Sequence, residues 1–195
     1  ILTQVPRAFF AKQSELANAI QGLDYAVGMI FLPQDTKLRE TQKHEFEAAA
    51  ARSGFKVVTW RNVPRSEAAL GDLARELQPE VEQVFLVDIN GIDINETNEP
   101  ESRDRRLYLL RKEVDRKLRV SHGTRDPITG RALTQFYICS LSYHRIVYKG
   151  LLAPGELAAY YSDLADPDFH SAYALVHSRF STNTLPAWEL AHPYR

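Results

Sequence analysis

This sequence contains little cysteine and carries almost no net charge. Its 195 residues contain one cysteine, Cys139, which excludes an internal disulfide framework and a zinc cluster built on cysteines. The 24 lysines and arginines nearly balance the 25 aspartates and glutamates, giving a net charge of −1. A dedicated nucleic-acid-binding protein usually carries a marked basic excess, so no nucleic-acid partner is expected.

Long hydrophobic runs are missing too. No stretch reaches the roughly 18 uncharged apolar residues that a membrane-spanning helix needs, so no membrane partner is expected. The opening ILTQVPRAFF has neither the hydrophobic region nor the cleavage site of a signal peptide. These absences predict a cytoplasmic protein, although a plastid protein whose transit peptide has been removed would look the same.

The residues that are present have the composition of an ordinary globular domain. Hydrophobic residues make up 44% and charged residues 25% of the sequence, so extensive disorder is not expected. A chain of this length can bury one substantial core without disulfide or metal support. It begins with two aliphatic residues and no methionine, which suggests a segment cut from a longer chain.

Helical and strand-like patterns are mixed along the chain. Helices are predicted at 6–21, 35–53, 67–77, 103–119 and 154–161. Strands are predicted at 25–32, 55–60, 81–89, 136–141, 146–149 and 172–180. A short connection between the strands at 136–141 and 146–149 predicts an antiparallel hairpin. The mixture favours a layered α+β domain over a repeating parallel βαβ fold.

Neither a nucleophilic cysteine nor a metal site is indicated by residue spacing. Cys139 lies in a strand pattern that puts Tyr137, Cys139 and Leu141 on one side, which favours a buried, inert thiol over a nucleophile. The six histidines include no HExxH motif and no pair at helical i, i+4 spacing. The acidic residues between 88 and 99 resemble a calcium loop, but Asp93 stands where that loop requires glycine.

Charge is unevenly distributed along the middle of the chain. Residues 72–101 hold nine acids and one base, and residues 103–119 hold eight bases and three acids. A basic helix can follow phosphates, but here an equally acidic segment precedes it. Two faces that attract each other, or a contact with another domain, is the favoured interpretation.

The end of the last predicted strand carries the most specific chemical pattern. Arg179 is followed at once by hydroxyl and amide side chains in the sequence VHSRFSTNT, residues 176–184. A guanidinium fork beside small hydrogen-bonding groups suits a carboxylate ligand, because the fork donates to two oxygens in one plane. The alternative is a strand-end arginine paired with a structural acid next to a capped turn, and these residues alone leave both interpretations open.

Long motifs give the sequence a family resemblance. It resembles the amidotransferase domain of glutamate synthase large subunits, in the same order and over nearly the whole chain. The matching stretches are AVGMIFLPQD (26–35), FYICSLSYHRIVYKG (136–150), DLADPDFHSAYALVHSRFSTNT (163–184) and HSRFSTNTLPAWELAHPYR (177–195). The resemblance implies that Arg179 grips the α-carboxylate of glutamine and that Thr182 contacts the same substrate.

The resemblance also implies a fold and a reaction. The fold is the four-layer αββα arrangement of N-terminal-nucleophile hydrolases, and the reaction is hydrolysis of glutamine to glutamate and ammonia. In that family a cysteine whose own α-amine acts as base attacks the side-chain amide, and an Asn-Gly pair supplies the oxyanion hole. Ammonia then passes to reductive amination of 2-oxoglutarate on synthase domains of the same chain. Those domains carry FMN and an iron–sulfur cluster, while this segment is expected to hold no cofactor, and a small reductase subunit is a further expected partner.

Two departures from the family pattern limit this expectation. The nucleophilic cysteine is expected upstream of Ile1 and the Asn-Gly pair downstream of Arg195, so residues 1–195 form a partial domain, incomplete at both ends. The 195 residues alone are therefore expected not to hydrolyse glutamine. Two rival interpretations stay open: an amidotransferase with another acceptor, and a non-catalytic domain that keeps the fold as a ligand-binding or interaction module.

Overall fold

The computed structural model describes residues 1–89, 100–121, 136–153, 155–179 and 187–191. The strands are β1 (Leu2–Gln4), β2 (Tyr25–Leu32), β3 (Phe55–Asn62), β4 (Glu80–Asp88), β5 (Tyr137–Ser142), β6 (Arg145–Val147) and β7 (Ala174–Leu175). The α-helices are α1 (Arg7–Phe10), α2 (Ser14–Ile20), α3 (Thr36–Arg52), α4 (Asp72–Glu76), α5 (Pro100–Ser121) and α6 (Leu157–Tyr160). Short 3₁₀ helices occur at Glu67–Ala69, Ser162–Ala165 and Trp188–Leu190.

The large sheet is built around the apolar strand β2. Its strand order is β3-β4-β2-β5, and every neighbouring pair is antiparallel. All eight residues of β2 are buried, as their continuous apolar run predicts for a strand covered on both faces. Both faces of this sheet therefore contribute to the core.

Helices α3 and α5 cover one face of the large sheet. The predicted stripe of α5 lies against it, because Leu107, Leu110, Val114 and Leu118 are all at most 2% exposed. They join a cluster that includes Phe46 of α3. The predicted amphipathic helix over 103–119 is thus confirmed, with α5 beginning three residues earlier.

The other face of the large sheet packs against the small sheet and its neighbouring helices. The small sheet has the order β6-β1-β7 and is also antiparallel. Between the two sheets lies a cluster rich in aromatic side chains, among them Phe9, Phe10, Phe85 and Tyr148. The predicted α+β class is confirmed, as a mixed fold with two antiparallel sheets.

The predicted hairpin at 136–149 is wrong. Strand β5 pairs with β2 in the large sheet, whereas β6 pairs with β1 in the small sheet. The chain therefore turns a corner between the sheets. The hydroxyl Oγ of Ser140 accepts a hydrogen bond from the backbone N–H of Val147 at 3.0 Å, a side-chain substitute for a ladder bond.

A bulge in β5 also corrects the predicted side-chain alternation. The register with β2 shifts between Met29 and Ile30. Because of this extra residue, Tyr137 and Cys139 pack into the cluster between the sheets, whereas Leu141 packs on the helical face. The expectation that all three lie on one side is wrong.

Two further segments differ from prediction. The helix expected over 6–21 is divided into α1 and α2, and the strand expected over 172–180 is only the two-residue β7. Strand β7 pairs with two of the three residues of β1. The stretches 90–100 and 121–131, to which the sequence assigns neither helix nor strand, lie largely outside the described residues.

The basic helix α5 contacts the acidic segment that precedes it, as the uneven charge distribution indicated. Arg106, on the basic helix α5, forms two hydrogen bonds of 2.6 and 3.1 Å with the carboxylate of Asp88. Arg103 of the same helix contacts Asp24 at 2.6 Å, an acid outside the acidic segment 72–101. Among the described helices, none is long and apolar enough to span a bilayer.

Candidate functional site

The residues that follow strands β6 and β7 leave the small sheet at one end. Strands β6 and β7 both run antiparallel to β1, on either side of it. Residues that follow β6 and residues that follow β7 therefore leave the sheet at the same end, next to the start of β1. The first group is Tyr148–Gly150 and the second is Val176–Arg179, and we call this place the sheet end.

Backbone hydrogen bonds fix the first of these groups. The N–H of Tyr148 donates to the carbonyl of Ile1 at 2.9 Å, and the nitrogen of Ile1 donates to the carbonyl of Tyr148 at 2.7 Å. The pairing of β6 with β1 thus continues one residue beyond the strand. Lys149 follows directly.

Arg179 lies in the second group, four residues beyond the end of β7, and its side chain is exposed. Within the described ranges, no carboxylate forms an ion pair with its guanidinium. A ring nitrogen of His177 contacts the backbone carbonyl of Arg179. Thr182, the other predicted substrate contact, lies outside the described residues.

Lys149 is a buried cation at the sheet end. Its ammonium donates to the backbone carbonyl of Glu189 at 2.8 Å and lies 4.2 Å from the centre of the Tyr137 ring. Burial lowers the pKa of Lys149, while the nearby Cys139 and Glu189 oppose that shift. The ammonium therefore joins the sheet end to the short segment 187–191.

Trp188 anchors the same segment from the other side. It is 3% exposed, and its indole N–H donates to the carbonyl of Ala74 at 3.0 Å. Its ring packs edge-on against Phe31 and tilted against Tyr160, with centroid distances of 5.8 and 5.5 Å. Segment 187–191 is thus held by its backbone at Glu189 and by its side chain at Trp188.

Cys139 lies beside these groups without the features of a nucleophile. It packs against the aromatic cluster between the sheets, and burial raises the pKa of its thiol to about 12, although Lys149 and Arg111 act in the opposite direction. A thiol with so high a pKa holds almost no thiolate at neutral pH. No group of three potential metal ligands occurs among the residues that the structure places.

A buried polar network lies under the small sheet. Arg61 donates to both carboxylate oxygens of Asp163, at 2.7 and 2.8 Å, and to the side-chain carbonyl of Gln83 at 2.8 Å. Gln83 donates to the hydroxyl of Tyr148 at 2.9 Å, and that hydroxyl donates to Asp163 at 2.9 Å. The network thus connects the strand pair β3–β4 to the residue that begins the sheet end.

Sequence reasoning missed Lys149 and the residues that share its surroundings. One signal was available: a lysine stands inside the apolar run IVYKGLL, residues 146–152. Lysine is rarely buried without a specific partner, so a lysine inside an apolar run indicates a partner for its ammonium. The partner itself, a backbone carbonyl 40 residues away, has no sequence signature.

Comparison with known proteins gives the family of the chain. The family model described as "Glutamine amidotransferases class-II" matches residues 1–195. The chain is 40% identical to the glutamate synthase [NADPH] large chain of Bacillus subtilis, with 100% of this chain and 12% of that protein covered. It is 38% identical to the glutamate synthase [NADH] of Saccharomyces cerevisiae, with 100% and 9% covered. It is 36% identical to the ferredoxin-dependent glutamate synthase 1 of Arabidopsis thaliana, with 100% and 11% covered.

These matches confirm the resemblance found in the sequence motifs. The chain spans about a tenth of the length of these curated relatives. The match of the family model is continuous from the first residue to the last, and it includes the stretch around Arg179. The chain therefore belongs to the class-II glutamine amidotransferases.

Proposed function

We propose that this chain is part of the glutaminase domain of a glutamate synthase. Glutamine would be hydrolysed to glutamate and ammonia, and the ammonia would be passed to reductive amination of 2-oxoglutarate elsewhere in the same protein. The observation that carries this proposal is the unbroken match of residues 1–195 to the class-II amidotransferase family, together with relatives that are named glutamate synthases.

Arg179 is the residue to which we assign substrate binding. Its exposed guanidinium at the sheet end can donate two parallel hydrogen bonds to the α-carboxylate of glutamine. Thr182, three residues further on, is assigned a contact with the same substrate. Glutamine held by its carboxylate in this way is positioned for attack at the other end of the molecule, its side-chain amide.

The attacking group comes from outside residues 1–195 in this proposal. A cysteine thiol adds to the amide carbon, the C–N bond breaks, and ammonia leaves with the proton taken from the thiol. Water then hydrolyses the thioester, which releases glutamate and restores the thiol. An Asn-Gly pair, also outside these residues, stabilises the oxyanion that forms in each step. Cys139 takes no part, since burial raises the pKa of its thiol to about 12.

The cofactors of the whole protein are assigned to other regions. An iron–sulfur cluster needs several cysteine ligands and this chain has one, so these residues do not fit the cluster. Residues 1–195 also contain no glycine-rich phosphate loop of the kinds used for nucleotides. FMN is therefore assigned to the synthase domains of the full-length protein. A small reductase subunit, a cytoplasmic or plastid location and the complete four-layer fold belong to the same proposal.

The proposal is tested with Arg179→Lys in the full-length protein. Lysine keeps the charge but cannot reproduce the planar fork, so the KM for glutamine should rise about tenfold or more. Arg145→Lys is the matched control, because Arg145 is an exposed arginine at the opposite end of the same small sheet and should leave the KM unchanged. Steady-state glutaminase assays measure both variants.

Two results would count against the proposal in different ways. Wild-type protein that releases no glutamate from glutamine would remove the glutaminase function and favour a non-catalytic binding domain. An active wild type in which Arg179→Lys and Arg145→Lys have the same KM would keep the function but remove the role of Arg179.

A further inference from the structure

Helix α5 carries a second stripe of side chains, opposite the apolar stripe that packs on the large sheet. Its residues follow one another at spacings of three, one, three and four. On a helix with 3.6 residues per turn, these spacings give a band about 100° wide that faces away from the sheet. All five side chains are exposed, and we call them the outer stripe: Arg105, Tyr108, Leu109, Lys112 and Arg116.

Two large apolar side chains lie side by side in the middle of the outer stripe. Tyr108 is 56% exposed and Leu109 is 58% exposed. The ammonium of Lys112 lies 5.4 Å from the centre of the Tyr108 ring, a cation–π distance. Single exposed apolar residues are ordinary on a protein surface. Two adjacent ones framed by cations have instead the composition of a contact surface, where tyrosine and arginine are enriched.

The charge of the outer stripe has one sign only. Arg105, Lys112 and Arg116 are its charged residues, and no carboxylate whose side chain the structure describes forms an ion pair with them. Lys112 and Arg116 are four residues apart, a spacing at which like charges on a helix repel each other. An acidic surface that lies against the outer stripe would therefore remove an unfavourable interaction.

The acidic residues next to the outer stripe bind other parts of this chain. Asp104 accepts hydrogen bonds from the hydroxyl of Ser142 at 3.1 Å and from a backbone N–H at 3.2 Å. Glu113 binds Arg52 at 2.5 Å. Asp88 of the preceding acidic segment also binds the helix, but at a residue outside the outer stripe. The attraction between the acidic segment and the basic helix thus leaves the outer stripe without a counter-charge from these acids.

We propose that the outer stripe is a docking surface for an acidic region of the same polypeptide that lies outside residues 1–195. The chain spans about a tenth of the length of its relatives, so most of such a polypeptide lies outside this domain. A region linked to the domain in one chain is present at a high effective concentration, and a small patch is then enough to hold it. Contacts between domains of one chain are also more polar than permanent interfaces, as the outer stripe is.

A second copy of the chain and a nucleic acid fit the outer stripe less well. Stable interfaces between separate proteins use about 20–30 residues from each side, several times more than the stripe supplies. Nucleic-acid-binding surfaces neutralise phosphates with cations, whereas Tyr108 and Leu109 occupy the middle of this row. The net charge of −1 also disfavours a nucleic acid. An acidic protein surface with an apolar patch would contact both parts of the stripe.

The test replaces Tyr108 by the photoreactive aromatic residue p-benzoylphenylalanine in the full-length protein. Irradiation should form a cross-link to a peptide outside residues 1–195, and mass spectrometry should identify that peptide as rich in aspartate and glutamate. Isotope-labelled and unlabelled protein are mixed before irradiation. A cross-link within one polypeptide contains one isotope composition only, whereas a cross-link between copies contains both.

Matched variants test the two parts of the stripe. Lys112→Glu combined with Arg116→Glu should lower the cross-link yield about fivefold or more, because the new carboxylates repel an acidic partner. Lys37→Glu combined with Lys56→Glu is the control, since these exposed lysines lie outside α5 and the net charge changes equally; the yield should stay within about twofold of its starting value. Leu109→Ser removes only an apolar contact and should also lower the yield, so the test remains decisive if the charge reversal impairs folding.

Several results would overturn the inference. A cross-link confined to residues 1–195, or no cross-link, would mean that the rest of the polypeptide does not cover the outer stripe. A cross-link that contains both isotope compositions would identify a second copy as the occupant, and cross-linked nucleic acid would identify a phosphate backbone. Equal yields in the α5 double variant and the lysine control would remove the role of the stripe's charge. The inference shares with the proposed function only the longer polypeptide, so a wild type without glutaminase activity would leave these readouts unchanged.

Discussion

At the scale of single residues, one buried and two partly buried cations of the described residues are compensated in two different ways. Arg61 forms a two-pronged pair with Asp163, and Lys43 binds Glu82 at 2.9 Å. Lys149 binds a carbonyl and an aromatic ring. The first two cations pair with a carboxylate, whereas the ammonium of Lys149 donates to the backbone carbonyl of Glu189.

The predictability of the site also differs from residue to residue. Arg179 could be selected from the sequence, because a guanidinium followed by hydroxyl and amide groups is a chemical pattern within nine residues. Lys149 could not, because its partner Glu189 is 40 residues away and takes part through its backbone, which carries no residue identity. The sequence indicates residues whose chemistry is recognisable from their immediate neighbours, such as Arg179. It does not indicate residues whose partners are distant in the chain, such as Lys149.

Cys139 should react slowly with an alkylating reagent. With its pKa raised by burial to about 12, the thiolate fraction at pH 8 is about a thousandfold below that of an ordinary cysteine. Since thiolate is the reactive form, iodoacetamide should leave the peptide containing Cys139 largely unmodified in the native protein. Raising the pH should increase the labelling rate about tenfold per pH unit, as long as the fold persists.

Mass spectrometry of the peptide measures this rate separately from any other cysteine of the full-length protein. The same peptide in urea-denatured protein is the control and should be modified within minutes at pH 8. Native labelling at the denatured rate would show that the sulfur reaches solvent and that its pKa is not raised.

At the scale of elements, the segments that were predicted correctly carry their own boundaries. Helix α3 begins after Asp35, whose carboxylate accepts a hydrogen bond from the N–H of Leu38 at 2.8 Å. It ends before Gly54, which has a φ of +78° that favours glycine. Strand β2 is equally well marked by its unbroken apolar run. Cap residues and period are local signals, and they were sufficient here.

The elements that were predicted wrongly have no such local signals. No proline or glycine separates α1 from α2, and the break at 11–13 comes directly after two adjacent buried residues, Phe9 and Phe10. The corner between β5 and β6 depends on the strands that each finds, β2 and β1, and both are more than 100 residues away in the chain. A short stretch of sequence does not determine which distant strand it pairs with.

Gly28 is an element-scale feature with a measurable consequence. It lies in β2 between β4 and β5, and an added Cβ would lie 2.6 Å from Cγ1 of Val84 and 3.0 Å from Cδ1 of Leu141. Gly28→Ala should therefore destabilise the large sheet by about 1–3 kcal/mol through overpacking. Hydrogen exchange of the β2 amides in the full-length protein measures this loss locally.

Gly71→Ala is the control for that measurement. Gly71 has a φ of −67°, which any residue adopts, and no atom lies within 4 Å of an added Cβ. It should change the stability of β2 by no more than about 0.5 kcal/mol. Equal protection in the two variants would mean that Val84 and Leu141 can move aside at little cost.

At the scale of the whole molecule, one buried network connects the two sheets. Arg61 comes from β3, Gln83 from β4, and Asp163 from a 3₁₀ helix 102 residues after Arg61 in the chain. The backbone of Tyr148 pairs with Ile1, and its hydroxyl lies in the network, where burial raises its pKa well above the ordinary value and Asp163 adds to that shift. Because the sheet end starts at Tyr148, its position relative to the large sheet depends on this network.

The network should carry a large share of the stability of the domain. In Asp163→Asn the side chain keeps its shape but loses its charge. Arg61, whose side chain is only 12% exposed, is then left without its counter-charge, which should cost about 3 kcal/mol or more. Asp168→Asn is the matched control: its partner Lys12 is 62% exposed at the side chain, and such surface pairs contribute about 0–1 kcal/mol. Hydrogen exchange of β3 and of β6 in the full-length protein reads both sheets. If the network joins the two sheets, Asp163→Asn lowers the protection of β3 and β6 together. Loss of protection in β3 alone would show that the sheets are held together by apolar packing. An effect no larger than that of Asp168→Asn would show the same.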